Sequence, residues 1–331
     1  MYFYCIKCKK KYPLTTHAYK CSCGGLFDLY KTQQENISST LTLGEGETPL
    51  LPINIGGLEF HCKMENLQPT GSFKDRGSSV LISELKKLGI TEVVEDSYGN
   101  AGVSLAAYAA AAGMKCTIYL PKNTNEAKIR QIKAYGAEIV LTENGRKGAC
   151  KDVKEHGGDA YYASHVYNPL FMAGVKTMAK EIYAQLHNSV PEYIALPAGN
   201  GTLLLGLYYG FMELGRLPRF LVVQPTNCAP LYEAYHQRTA PKEEDETLAL
   251  MNVSAPSRLE EMLAAVRNSQ GDVVAVSAEE IRRAMDLLGK KGIYSDVITS
   301  TTLAGALKFF KDGKPDNYRV ILPVTGTGLR G

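Results

Sequence analysis

The chain has no tryptophan, little charge imbalance and no long uninterrupted apolar run, and each lack removes a class of protein. Lys plus Arg number 37 against 34 Asp plus Glu among 331 residues, a formal excess of +3. That is too small to argue for a nucleic-acid partner. Hydrophobic residues make up 45% of the chain, which with so low a net charge excludes intrinsic disorder. The most apolar stretch, VSLAAYAAAAGMKCTIYLP, is cut by Gly113 and Lys115 and changes periodicity there, so it reads as helix, turn and strand and not as a membrane span. The N-terminus, MYFYCIKCKKKYP, lacks the apolar run and small-residue cleavage site of a secretory signal, and a cytoplasmic location is expected. The six histidines show no ligand spacing, and His165 alone is kept as an active-site candidate.

What is present is a length that favours two domains and, from about residue 58, an alternation of short β-branched runs with amphipathic stretches. That is the pattern of an α/β protein with mostly parallel strands. Residues 92–95, 116–120 and 138–141 read as strands, with helices at GNAGVSLAAYAAAAG and NEAKIRQIKAYG between them. EYIALP, GTLLLGLYYGFMELG and FLVVQP repeat the rhythm further on, giving two α/β units. The charged stretch 240–249 reads as a solvated excursion.

Eight cysteines in a chain of this size and expected location do not suggest a disulfide framework. Cys62, Cys116, Cys150 and Cys228 are scattered and read as small hydrophobes. Cys5-x2-Cys8 and Cys21-x-Cys23, by contrast, put four thiols on two knuckles, able to close a tetrahedral zinc site or to stand as a bare loop of exposed thiols. The first 30 residues hold too little apolar mass to fold alone, and a metal would supply the missing stability. Lys7, Lys9, Lys10 and Lys11 between the pairs are read as solubilising.

The stretch KMENLQPTGSFKDRGSSVLISELKKLG (63–89) is a small-residue turn leading into a helix on which Leu81, Leu85 and Leu88 share a face and which Gly89 stops. Lys74 falls near its first turn, where the positive end of the helix favours an unprotonated amine and a nearby anion. It is there either a Schiff-base nucleophile or a solvated lysine beside Asp75 and Arg76. SYGNAG (97–102) and AGNGTL (198–203) each sit between a strand and a helix, where backbone amides can grip a carboxylate or phosphate, and ILPVTGTGL places Thr325 after another strand. Four loops that each follow a strand can share one cleft in such a fold. GTGLRG at 326–331 satisfies G-x-G-x-x-G, yet no helix follows it, and GVSLA lacks the second glycine of a nucleophile elbow.

KMENLQPTGSFKDRG, SYGNAGVSLAAYAAAAG, LPAGNGTLLLG and VTGTGL resemble the signature segments of fold type II pyridoxal-phosphate (PLP) enzymes. LGEGETPLLP (43–52) and the cysteine-rich N-terminus resemble the threonine synthases among them. The resemblance runs through nearly the whole chain in the family's order. It implies two doubly wound, mostly parallel sheets with a small zinc-ribbon-like segment: residues 1–30 as the ribbon, 31–87 with 176–331 as the PLP-binding domain, and 88–175 as a small domain. It implies that Lys74 carries the cofactor and serves as acid and base, that Asn100 meets its phenolic oxygen and that Thr325 meets its pyridine nitrogen. Gly199, Asn200, Gly201, Thr202 and Leu203 would hold its phosphate. Ser97, Gly99 and Ala101 would hold the substrate carboxylate, with Tyr98 and Phe171 also on the substrate side, Cys5, Cys8, Cys21 and Cys23 would hold a structural zinc, and the chain would form a homodimer. A hydroxyl at the pyridine nitrogen does not support a protonated ring as an aspartate would, which favours elimination or replacement over transamination.

The substrate shell departs from the family. Ala101 stands where a threonine is usual, N-P-x-R becomes Asn168-Pro169-Leu170-Phe171, and G-I-F-x-E-P becomes Gly292-Ile293-Tyr294-Ser295-Asp296-Val297. A phenylalanine cannot replace a bidentate phosphate clamp. Three activities follow as expectations. The first is threonine formation from O-phosphohomoserine; the second is β-elimination or β-replacement on serine or phosphoserine, as in cysteate synthases, cysteine synthases or dehydratases. The third is a non-catalytic binding protein on the same fold.

Overall fold

The structure is a computed structural model that describes all residues except 33, 34, 36, 38, 98, 144, 241–252, 312–316 and 331, with the side chains of 146, 147, 156 and 330 also outside the described set. The expected excursion at 240–249 therefore falls, but for Ala240, outside the described residues. The chain forms two compact units, Met1–Glu45 with Lys74–Val175, and Gly46–Phe73 with Lys176–Gly331.

The first unit opens with a three-stranded antiparallel ribbon, β1 (Tyr2–Cys5), β2 (Lys11–Tyr12) and β3 (Phe27–Tyr30), in the order β2-β1-β3. The second unit follows with β4 (Leu50–Ile55) and β5 (Leu58–Lys63), an antiparallel hairpin. Its two-residue turn is Gly56-Gly57, with φ of +62° and +85°, the positive pair a tight hairpin requires. The chain then returns to the first unit with α1 (Lys74–Lys87), β6 (Glu92–Asp96), α2 (Asn100–Ala112), β7 (Lys115–Pro121), α3 (Glu126–Ala134), β8 (Glu138–Thr142), α4 (Gly145–His156), β9 (Tyr161–Tyr162) and α5 (Pro169–Val175). Its four strands make an all-parallel sheet ordered β8-β7-β6-β9.

The rest of the second unit is α6 (Thr177–Gln185), β10 (Tyr193–Pro197), α7 (Thr202–Glu213), β11 (Arg219–Pro225), α8 (Pro230–His236), α9 (Leu259–Asn268), β12 (Asp272–Val276), α10 (Ala278–Gly289), α11 (Val297–Phe309) and β13 (Val320–Pro323). Its sheet runs β12-β11-β10-β13-β5-β4, parallel except for the edge hairpin. The five residues of β10 are all buried, as expected of a strand covered on both faces. The fold is therefore the expected α/β class with two mostly parallel sheets. Among the described residues no helix is long and apolar enough to cross a membrane.

Two details differ from the sequence reading. Leu81 and Leu85 are fully buried, but α1 ends at Lys87 and Leu88 is exposed, because Gly89 at φ +76° turns the chain away one residue later. Residues 74–87 were also grouped with the larger domain, whereas α1 lies in the first unit. Ser104 Oγ on α2 donates to Ser78 Oγ on α1 at 2.8 Å, and α5 crosses α1 at glycines. A Cβ on Gly174 would run into the carbonyl oxygen of Arg76 and lie 2.7 Å from its carbon. Gly174→Ala is accordingly expected to lower unfolding free energy by about 1–3 kcal/mol, read as a lower urea midpoint at unchanged slope.

Candidate active site

The informative loops all follow the carboxyl ends of parallel strands, where open α/β sheets bind ligands. In the first unit Lys74 is the first residue of α1 and half-buried. The ring of Phe171 on α5, 1% exposed, stands 5.9 Å from Lys74 Nζ, its centroid taken as the reference. Gly77, one turn beyond Lys74, makes room for it, since a Cβ there would run into the ring. His165 meets Phe171 edge-on at 6.1 Å and is held by Glu95 at the end of β6, whose Oε1 is 2.5 Å from His165 Nδ1 and 3.0 Å from its backbone nitrogen. Both members of this pair are buried. Glu95 was not anticipated, since nothing in a lone strand carboxylate signals a histidine 70 residues away.

The loop after β6 is organised by Ser97, whose Oγ accepts from the amides of Gly99 at 3.0 Å and Gly102 at 2.8 Å. Gly99 has φ +144°, and among the described residues no side chain caps α2. Lys128 of α3 lies across Gly99 and is 8% exposed, with Nζ 3.3 Å from where a Cβ on Gly99 would stand. Asn100 and Ala101 begin α2. Tyr98 lies outside the described residues. Lys128 escaped the sequence reading because a lysine on an amphipathic helix is ordinarily solvated.

In the second unit Gly199, Asn200 and Gly201 link β10 to α7, which starts at Thr202 and Leu203. Gly201 has φ +87°, α7 has no side-chain cap, and a Cβ on Gly201 would sit 2.6 Å from Met262 Sδ. Gln224 supports the loop from β11, donating to the Ala198 carbonyl at 2.7 Å while accepting from the amides of Leu231 at 2.9 Å and Tyr232 at 3.1 Å. After β13, Thr325 is buried; its amide donates to Thr299 Oγ1 at 3.0 Å, and its carbonyl accepts from Phe73 N, next to Lys74 in the chain, at 3.1 Å. Ser72 Oγ and Thr226 Oγ1, on loops beside and after these strands, are buried without a hydrogen-bond partner among the described residues.

The chain matches the family described as pyridoxal-phosphate dependent enzyme over residues 41–326. It belongs to that family. A threonine synthase of Methanocaldococcus jannaschii is 32% identical over 98% of this chain and 92% of its own length, and a threonine synthase of a Bacillus species is 34% identical over 88% and 85%. Among solved structures, a hydrogen sulfide-producing enzyme from Fusobacterium nucleatum superposes with a TM-score of 0.72 at 24% identity, covering 86% of this chain and 96% of that one. A fungal L-serine ammonia-lyase from Rhizomucor miehei gives 0.72 at 22%, covering 85% and 93%. These likenesses show the type II fold. The residues present fit the cofactor: an uncapped helix start behind two glycines suits a phosphate, and the partnerless hydroxyls of Ser72 and Thr226 suit a polar ligand.

In the ribbon, Cys5, Cys8, Cys21 and Cys23 offer sulfurs that all lie within 4.8 Å of one another. Cys5 and Cys23 are 3.5 Å apart, as are Cys8 and Cys21. The Tyr12 hydroxyl donates to Cys21 Sγ at 3.1 Å, and with the Cys23 amide it lowers the Cys21 thiol to about 6. Of the scattered cysteines, Cys62 and Cys116 are buried and Cys150 and Cys228 half-buried; burial pushes the Cys62 thiol up to about 12.

Gly201→Ala should weaken PLP binding by tenfold or more, about 1.4 kcal/mol, because both the positive φ and the space toward Met262 are lost. Absorbance titration of the apoprotein measures this.

Proposed function

We propose that this enzyme catalyses PLP-dependent elimination or replacement on an L-amino acid, in the manner of its threonine synthase relatives. The observation that carries the reading is the hydrogen bond from Phe73 N to the Thr325 carbonyl, which ties the residue preceding Lys74 to the loop assigned to the pyridine nitrogen. Pyridoxal phosphate supplies an electron sink for the pair left on Cα when its proton departs. Lys74 holds the cofactor before substrate arrives and, once displaced, takes the Cα proton and later returns one as a base turned acid. The amides of Gly199 to Leu203 bind the phosphate at the start of α7, Asn100 orients the phenolic oxygen and Thr325 faces the pyridine nitrogen. The substrate carboxylate rests on the loop that Ser97 shapes, at Gly99 and Ala101. A soluble cytoplasmic homodimer belongs to the same reading.

The leading named reaction is conversion of O-phosphohomoserine to threonine, a lyase reaction with loss of phosphate. One observation favours a second reading, β-elimination or β-replacement on a serine-type amino acid. Phe171, at the position of the family's phosphate-binding arginine, is a buried ring beside Lys74, fixed by Gly77 on one side and by the Glu95-bound His165 on another. An apolar wall gives a phosphate no partner and costs a charged group its hydration. O-phosphohomoserine, O-phosphoserine, serine and threonine should therefore be compared by cofactor absorbance and product release. Turnover of serine with no response to O-phosphohomoserine supports the second reading; efficient threonine formation supports the first. Lys74→Ala is expected to be colourless and inert with all four, and a wild-type chain that never takes up the cofactor would refute both readings.

The ribbon sulfurs suit one structural zinc. A tetrahedral site with Zn–S bonds of about 2.3 Å has sulfurs about 3.8 Å apart, close to the spacings already present. Metal analysis of purified protein is expected to find one zinc per chain, lost together with thermal stability in Cys8→Ser or Cys21→Ser. Metal-free protein whose melting temperature does not respond to added zinc would sink the idea.

A further inference from the structure

The whole-chain excess of +3 hides an uneven distribution. The first 31 residues carry six lysines, at 7, 9, 10, 11, 20 and 31, against Asp28 as their one acid, so the rest of the chain has more acids than bases. All six lysines are exposed. The acid is engaged locally: Asp28 Oδ2 accepts the Tyr4 hydroxyl at 2.8 Å, and its Oδ1 accepts the Leu29 amide at 2.7 Å.

The ribbon sheet sets tyrosines among these charges. Alternation along β1 buries Phe3 and Cys5 on one face and turns Tyr2 and Tyr4 to the other. Pairing places Tyr2 opposite Tyr30, and Tyr4 opposite both Lys11 and Asp28, so these residues share the outer face. The Tyr2 and Tyr30 rings stack with centroids 4.7 Å apart and planes 20° from parallel. Lys11 Nζ stands 4.7 Å from the Tyr2 ring and Lys9 Nζ 5.6 Å from that of Tyr4, and Tyr30, on the edge strand, is 46% exposed. Lys9 gives one proton to the Ile6 carbonyl at 3.0 Å, and an ammonium has three. A solubilising role accounts for the lysines and leaves the tyrosines unexplained. The core does not need them either, since Phe3 and Phe27 fill the inward face.

We infer that the outer face of the ribbon sheet binds single-stranded nucleic acid, unpaired bases stacking on the tyrosine row that Tyr30 ends and phosphates meeting the lysines around it. Lys9 and Lys11 stand beside the rings, and Lys7 and Lys10 lie on the chain that joins β1 to β2. An unpaired base offers a flat π-face to a tyrosine, whatever its identity, and the strand's phosphates supply the charge that the lysines complement. A duplex keeps its base faces stacked on one another and leaves the tyrosines without a partner. An acidic polypeptide answers the lysines and again leaves the rings unused. This surface belongs to the first unit alone and is independent of the amino-acid chemistry proposed above, so either reading stands or falls without the other.

Fluorescence anisotropy tests this on the full chain saturated with PLP, so that the cofactor's own phosphate site does not contribute. Short mixed-sequence single strands of RNA and of DNA are titrated beside a duplex of the same sequence, with poly-glutamate as competitor. Either single strand, or both, is expected to bind, with log affinity falling against log salt at a slope of about −2 to −3 for three or four phosphates. Tyr30→Ala should weaken binding by about fivefold or more at unchanged slope. Lys9→Gln combined with Lys11→Gln should weaken it and make the slope shallower by about 1.4. Neither variant is expected to change PLP absorbance or melting temperature. Should Tyr30→Ala unsettle the ribbon, Tyr30→Phe, which keeps the ring and should bind as wild type, is set against Tyr30→Leu, which should not. Wild type that binds no single strand at low salt overturns the inference. So does equal affinity for the duplex, displacement by poly-glutamate as effective as by unlabelled strand, or binding that is indifferent to the ring at position 30.

Discussion

Much of the candidate site depends on a short run of backbone hydrogen bonds between residues 63–73 and 324–327. Val324 N donates to the Lys63 carbonyl at 2.8 Å, Phe73 N to the Thr325 carbonyl at 3.1 Å, and Thr327 N to the Gly71 carbonyl at 2.9 Å. The first bond continues the parallel pairing of β5 with β13, and the other two close an antiparallel bridge between Ser72 and Gly326, so two loops far apart in sequence leave the sheet side by side. The pairing is braced from below by Lys63, fully buried at the end of β5, whose ammonium donates to the Thr48 carbonyl at 2.6 Å and Gln185 Oε1 at 2.9 Å and pairs with Glu181. A buried ammonium is tolerable only when its donors are satisfied, and here three partners from two segments do so. The same segment is fixed again where Thr48 Oγ1 donates to Glu65 Oε1 at 2.7 Å and Gln68 Nε2 to Glu65 Oε2 at 2.9 Å. Every one of these bonds constrains the chain that ends at Lys74.

In the first unit the constraint is steric. Gly77 and Gly174 let α1 and α5 approach until the Phe171 ring fills the space beside Lys74. The buried Glu95–His165 pair meets that ring edge-on, and a larger or charged substituent beside the amine would have to displace packed atoms.

The regular elements were legible in the sequence because their signals are local. Alternating runs marked β6, β7, β8, β10 and β11, Gly113 and Gly136 marked two helix ends, and the small-residue loops marked the turns between strands and helices. The Gly56-Gly57 hairpin carried an equally local signal that the reading passed over. What could not be read was spatial. Glu95 and His165 are 70 residues apart, Lys128 lies on an ordinary amphipathic helix, and Thr299 is one of a run of hydroxyl residues in α11 whose neighbours turn back on their own helix: Thr301 Oγ1 bonds the Val297 carbonyl and Thr302 Oγ1 that of Ile298. The grouping of α1 with the first unit depends on glycine contacts that no periodicity reveals.

Asp296 shows why a departure from a family pattern need not be a loss. From the sequence it was a shortened acid in a segment that usually carries a longer one. In the structure the shorter side chain caps its own helix and at the same time reaches Thr299, which a carboxylate can do only when its oxygen stays close to the first turn. A glutamate would carry the charge about one bond further from the backbone and would have to give up one of those two contacts. The substitution therefore ties the start of α11 to the Thr325 loop. Phe171, likewise, sets a buried ring beside Lys74. The two changes are separated in sequence and lie in different units, and each is explained by its own packing.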